Sequence, residues 1–159
     1  MRKNDRQRGK QTRMDKTDTK ILALLGANAR MTASDISREV GLSVPAVGDR
    51  IRRLEEQKVI QGYTLRLNRA AVGFPVLCFV KVALTRSASI PLFQREVCKF
   101  AEVLECHYIA QEYDYLLKVS TADMNALSEF LSYRLKALDG VDKVSTTVAI
   151  KTIKEEFNR

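Results

Sequence analysis

The chain has 159 residues, 29% of them charged and 45% hydrophobic, which allows one domain or two small ones around an ordinary globular core. Three widely spaced cysteines, no C-x-x-C pair and a single histidine argue against a metal site or a disulfide framework. No apolar run approaches the roughly 18 residues that span a bilayer, and the basic start lacks the apolar stretch of a secretory signal, so a cytoplasmic location is expected. The net charge of +8 is uneven. Residues 1–62 carry 14 Lys/Arg against 8 Asp/Glu, and residues 63–159 carry 13 against 11, so the N-terminal half is the one expected to meet a polyanion.

Residues 1–13 hold six basic side chains, one acid and no large apolar group beyond Met1, and read as a disordered basic tail, either adding phosphate contacts or simply solvated. Asp15 to Asn28 reads as a helix with Ile21, Leu22, Leu24 and Leu25 on its apolar face. Thr32 to Val40 reads as a second, short helix. Thr32 and Asp35 form a capping pair, and Ile36 and Val40 share one face. Gly41, Leu42 and Ser43 form a turn, with Gly41 suited to the left-handed conformation. Ser43 then caps a longer helix reaching Gln57, with Pro45 in its first turn.

Placed at 100° steps, Val44, Val47, Ile51 and Leu54 line one side of that helix, and Pro45, Asp49, Arg52 and Arg53 the other. Two short helices, a glycine turn and a basic second helix are the helix-turn-helix pattern, whose second helix enters the DNA major groove. Gly48 is unusual inside a helix, where it costs about 1 kcal/mol relative to alanine. Either it admits close approach of DNA or it is tolerated.

Gln61 to Leu67 alternates, with Tyr63, Leu65 and Leu67 on one side, and predicts a strand. Val76–Leu84 is a β-rich apolar run, and Ile90–Ala101 carries Phe93, Val97 and Phe100 at helical spacing. Val103–Ala110 alternates, with Leu104, Cys106 and Tyr108 sharing a face. Tyr115–Ser120 is another strand. Asp123–Leu138 is a helix striped by Met124, Leu127, Leu131, Leu135 and Leu138. Val144 to Ile150 is the last strand. The order βαββαβ is the ferredoxin-like unit, an antiparallel sheet with helices on one face. Its bare face predicts a dimer formed through the sheets. Cys78, Cys98 and Cys106 fall in apolar runs and are expected to be buried.

Asp15, Asp18, Ile21, Leu22, Asn28 and Arg30, then Gly41-Leu42-Ser43, Arg50, Arg52-Arg53-Leu54-Glu55, Ile60, Gly62 and Tyr63 form a string that resembles the DNA-binding region of the Lrp/AsnC (leucine-responsive/asparagine regulator) family of prokaryotic transcription regulators. The resemblance covers about residues 15–155. It implies an α+β chain with four parts. These are a tail (1–13), a winged-helix-like helix-turn-helix domain (14–60), a hinge strand and linker (61–73), and a ferredoxin-like effector-binding and oligomerisation domain (74–159). It also implies homodimers that often assemble into octamers. Lys58 stands where the family usually has a helix-terminating glycine, and should adopt a mildly strained left-handed conformation.

The DNA-binding residues expected on these grounds are Ser43, Pro45 and Asp49 at base edges, Arg52 at guanine or phosphate, and Arg50 and Arg53 at phosphates. The turn Ala110-Gln111-Glu112-Tyr113-Asp114-Tyr115 resembles the family's Gly-x-x-Asp-Tyr, which helps form an amino-acid pocket between dimers. Gln111, Glu112 and Asp114 are therefore the expected effector contacts, with Gln111 replacing the glycine. Asp114 could instead satisfy amides of its own loop.

No catalytic constellation or phosphate loop is present, and His107 reads as a sheet histidine. Neither cofactor nor metal is expected, and the only small molecule implied is an amino acid. The expected function is sequence-specific, effector-responsive regulation of transcription on double-stranded DNA. The alternatives are a nucleoid-organising protein without an effector and, more remotely, a haem-pathway decarboxylase-like enzyme.

Overall fold

The computed structural model describes residues 14–110 and 112–156; the tail 1–13 and Gln111 lie outside the described residues. Two compact units emerge, the first reaching Leu65 and the second spanning Arg66–Glu155.

The first unit is three helices. Helix α1, Lys16–Ala27, opens with a capping box in which the Asp15 carboxylate accepts from the Asp18 amide and the Asp18 carboxylate from the Asp15 amide. Helix α2, Ala33–Val40, repeats the device with Thr32 and Asp35, and Gly41 closes it at φ 69°. Helix α3, Val44–Glu56, is capped by the Ser43 hydroxyl on the Ala46 amide. Ile21, Leu25, Ile36 and Val47 form the buried core, flanked by Leu24, Val40 and Ile51. Lys58 takes the left-handed conformation at φ 57°, and the Val59 and Ile60 amides turn back onto the Leu54 carbonyl. Val44 departs from the expected apolar side: it is 44% exposed at the first turn of α3.

The alternating stretch 61–67 forms no ladder. No strand among the described residues runs beside it, and a strand needs a partner for its backbone groups. Tyr63, Leu65 and Leu67 are exposed.

In the second unit the order is β1 Val76–Leu84, α4 Ile90–Val97, β2 Val103–Tyr108, β3 Tyr115–Thr121, α5 Met124–Glu129 and β4 Val141–Val148. The four strands make one antiparallel sheet in the order β2-β3-β1-β4. Cys78, Val80 and Val82 of β1 and Tyr115, Leu117 and Val119 of β3 meet Phe93, Val97, Leu127, Phe130 and Leu135 in the core. Each such buried large side chain contributes roughly 1.5–3 kcal/mol of transfer free energy.

The pattern failed locally in four places. Helix α4 ends at Val97, and turns bonded Glu96 to Lys99 and Val97 to Phe100 carry the chain to β2. Cys98, at that end, is exposed rather than buried. In β2, Val103 faces Val119 and Glu105 faces Lys118, so Leu104 is the extra residue of a bulge. It is exposed, and Val103 shares the core-side face with Cys106. Helix α5 runs on as π-helical turns over Phe130–Leu135, with the Lys136 amide donating to the Leu131 carbonyl. Phe130, three residues after Leu127, and Leu135, five residues further on, are core residues, while Met124 at the first turn of α5 is 57% exposed.

The sheet face opposite the helices carries Phe79 and Lys81 of β1 against Lys118 and Leu116 of β3. Glu155 bridges Lys118 at 2.6 Å and Arg69 at 2.7 Å, and Lys118 also reaches Glu105 at 2.9 Å. Hydrogen bonds from Lys118 and then Arg69 hold the Glu155 carboxyl below its ordinary range. Lys118 and then His107 do the same for Glu105.

Candidate nucleic-acid interface and effector pocket

Helix α3 is presented as the fold pattern requires. Val47 and Leu54 point inward and are buried, while Ser43, Val44, Pro45, Asp49 and Arg52 are exposed on the outward side. Arg52 is 68% exposed, and its ion pair with Asp49 at 3.1 Å is itself on the surface. An exposed i,i+3 pair of this kind is worth under about 1 kcal/mol, so either partner can be released to a ligand at small cost. Small residues at the helix start and an exposed cation about two turns on suit entry into a groove.

Arg50 and Arg53, expected at phosphates, are ion-paired within the first unit. Arg50 Nη1 donates to Asp15 and Asp18, each at 2.7 Å, and Arg53 Nη2 donates to both Asp18 oxygens at 2.9 Å. The physical reason is the buried Asp18 carboxylate, which needs cationic donors once removed from water. Asp15 is held below the ordinary carboxyl range, first by the Asp18 amide and then by Arg50. These two arginines fasten α3 to α1, leaving Arg52 as the cation of α3 that faces outward without a buried partner.

In the second unit a cavity of about 220 Å³ is lined by Leu84, Thr85, Arg86, Ser87, Ile90, Tyr108 and Asp114. Asp114 is half-buried, and its Oδ2 accepts from the Leu84 amide at 2.7 Å. The carboxylate thus ties its turn to the end of β1 rather than satisfying its own loop amides. The Asp114 backbone closes the turn through Ile109 and Val82. Glu112 is exposed and does not line the cavity. The combination of carboxylate, guanidinium and apolar wall offers complementary groups to a zwitterion with a short side chain.

Comparison with known proteins identifies the family of both units. Residues 14–55 match the AsnC-type helix-turn-helix domain, and residues 76–158 match the Lrp/AsnC ligand binding domain. The chain belongs to the Lrp/AsnC family. It is 37% identical over 144 residues to the leucine-responsive regulatory protein of Escherichia coli K12, covering 89% of this chain and 88% of that one. Among solved structures it is similar to a transcriptional regulator from Neisseria meningitidis in complex with L-Met. That match has a TM-score of 0.86 and 32% identity, covering 91% of this chain and 94% of that one. A feast or famine regulatory protein from M. tuberculosis complexed with L-methionine gives a TM-score of 0.86 at 31% identity, covering 92% and 99%.

As a member of the Lrp/AsnC family the chain is a DNA-binding transcription regulator, with its DNA-binding unit ahead of a ferredoxin-like ligand-binding domain. The fold groups Ser43, Pro45, Asp49 and Arg52 outward and ties the partly exposed Arg50 and Arg53 to Asp18. Sequence reasoning missed Val44, because an apolar residue at helical spacing was assigned to the core. It also missed Arg86 and Tyr108 beside Asp114. They come from the end of β1 and from β2, and only the sheet order brings them together.

Proposed function

We propose that this Lrp/AsnC regulator binds specific operators as a cytoplasmic, nucleoid-associated oligomer and changes its DNA affinity on binding a small amino acid. The observation that carries the reading is the outward row of α3, capped by Ser43 and held in place by Asp18, with Arg52 exposed and paired only to the surface Asp49, so that it can reach base edges or phosphate. Ser43, Pro45 and Asp49 lie at the entry end, and Asp49 could accept from a cytosine amino group.

The effector enters the 220 Å³ cavity, its ammonium at Asp114 and its carboxylate at Arg86 or backbone amides. L-methionine complexes of the Neisseria and M. tuberculosis relatives support this ligand class. Dimerisation covers the bare sheet face around Phe79 and Leu116, and further assembly, to octamers in this reading, is coupled to effector occupancy. The role is regulatory, not enzymatic.

Titrating the purified protein against DNA from upstream of its own gene and against scrambled DNA, with and without pooled amino acids, tests the proposal. Preferential binding that shifts with the pool is expected. Preference without a shift removes the effector. Equal binding to both DNAs replaces specific regulation with nucleoid organisation.

A further inference from the structure

Gly48 occupies the middle of α3 with ordinary helical geometry, and a Cβ built on it meets nothing within 4 Å. The described residues therefore give no steric reason for glycine there. Gly26, the other helical glycine, lies in the last turn of α1, where losing a side chain matters less. A glycine that weakens a helix without relieving any internal contact points to something that approaches from outside. Its neighbours on the same i,i+4 row are Val44, half-exposed at the first turn, and Arg52, exposed one turn beyond.

Val44 is an apolar side chain on the outward surface of a recognition helix. Apolar contact with the 5-methyl group is how such a residue distinguishes thymine in the major groove. From these observations we infer that the base-reading row of α3 is Val44–Gly48–Arg52. Gly48 is the point of closest approach to the groove floor, and Val44 packs on a thymine methyl. Arg52 reads or clamps at the far end. The assignment rests on the proposed sequence-specific function and adds its recognition geometry.

The probe is a duplex enriched by the wild-type protein from a random-sequence pool, with a scrambled duplex as control. The variants are Gly48→Ala and Val44→Ala in the full chain. Gly48→Ala should melt several degrees higher than wild type, because alanine is the better helix former. It should nevertheless bind the enriched duplex about tenfold more weakly, with scrambled DNA unaffected, since the added methyl holds the helix off the base edges. Replacing thymines one at a time by deoxyuridine should lower wild-type affinity about fivefold at one position per half-site, and Val44→Ala should be indifferent to that replacement.

Stability and specific binding thus move in opposite directions, which a purely structural role for Gly48 does not produce. Wild-type affinity in Gly48→Ala overturns the row, as does undiminished uridine sensitivity in Val44→Ala. A wild-type protein that enriches no sequence at all sinks the sequence-specific reading before the row is reached.

Discussion

Both carboxylate oxygens of Asp18, a residue only 2% exposed on α1, accept from Arg53 Nη2 on α3 at 2.9 Å. This fixes the recognition helix from behind, and Arg50 adds a second strut through Asp15 and Asp18. The outward face can then be small at its start and cationic further on without setting its own orientation.

Asp18→Asn should cost about 3 kcal/mol of stability, because two guanidinium groups lose a buried charge partner. Denaturant unfolding of the full chain, followed by a probe on the N-terminal unit, measures it. A loss below about 1 kcal/mol would mean that the arginines find water instead and that the strut is dispensable.

Lys58 turns the chain after α3 in the left-handed conformation that non-glycine residues adopt only with strain. Lys58→Gly should therefore stabilise the first unit by about 1 kcal/mol. A thermal melt decides it, and an unchanged or lower midpoint would show that the lysine makes a compensating interaction.

Asp114 has two separable tasks. Its oxygen accepts from the Leu84 amide, which an asparagine oxygen can also do, and its charge faces the cavity that also holds Arg86. Asp114→Asn should leave the melting temperature within a few degrees of wild type and abolish amino-acid binding measured by calorimetry. Equal loss of both would assign Asp114 to the turn alone.

Much of this molecule is legible from residue spacing. The Thr32–Asp35 capping box, the Gly41 turn and the buried Ile21, Ile36 and Val47 follow from local chemistry and helical period, and so does the order of strands and helices. The exceptions arise where a distant partner decides. Arg50 and Arg53 are set by carboxylates more than thirty residues away in α1, and an arginine pair on a helix looks the same in sequence whether it meets phosphate or Asp18. The bulge at Leu104 and the π-helical turns between Phe130 and Leu135 each shift a period by one residue, which no alternation rule detects. Residues 61–67 have strand character but no partner strand among the described residues.

The acid side of the stability profile follows from the second unit's outer face. Glu155 and Glu105 are held below their ordinary pKa by Lys118 as the leading cause. A carboxyl lowered in the folded state stabilises it above the unfolded value, about 4.3 for glutamate, and that stabilisation is lost as the pH falls through the folded value. Unfolding free energy should thus be flat near neutrality and decline below about pH 4, and Glu155→Gln should make the decline shallower. An identical acid profile in the variant would show that Glu155 carries none of it.

The most direct test of the central claim compares the salt dependence of DNA binding in wild type, Arg52→Ala and Arg50→Ala. If the outward face of α3 meets DNA, Arg52→Ala lowers affinity by roughly 1–3 kcal/mol or reduces the salt slope by about one. Arg50→Ala, whose cation is already neutralised by Asp15 and Asp18, should then keep the wild-type salt slope and lose only stability. A reduced slope in Arg50→Ala with wild-type binding in Arg52→Ala would place DNA on the other side of the helix and contradict the account.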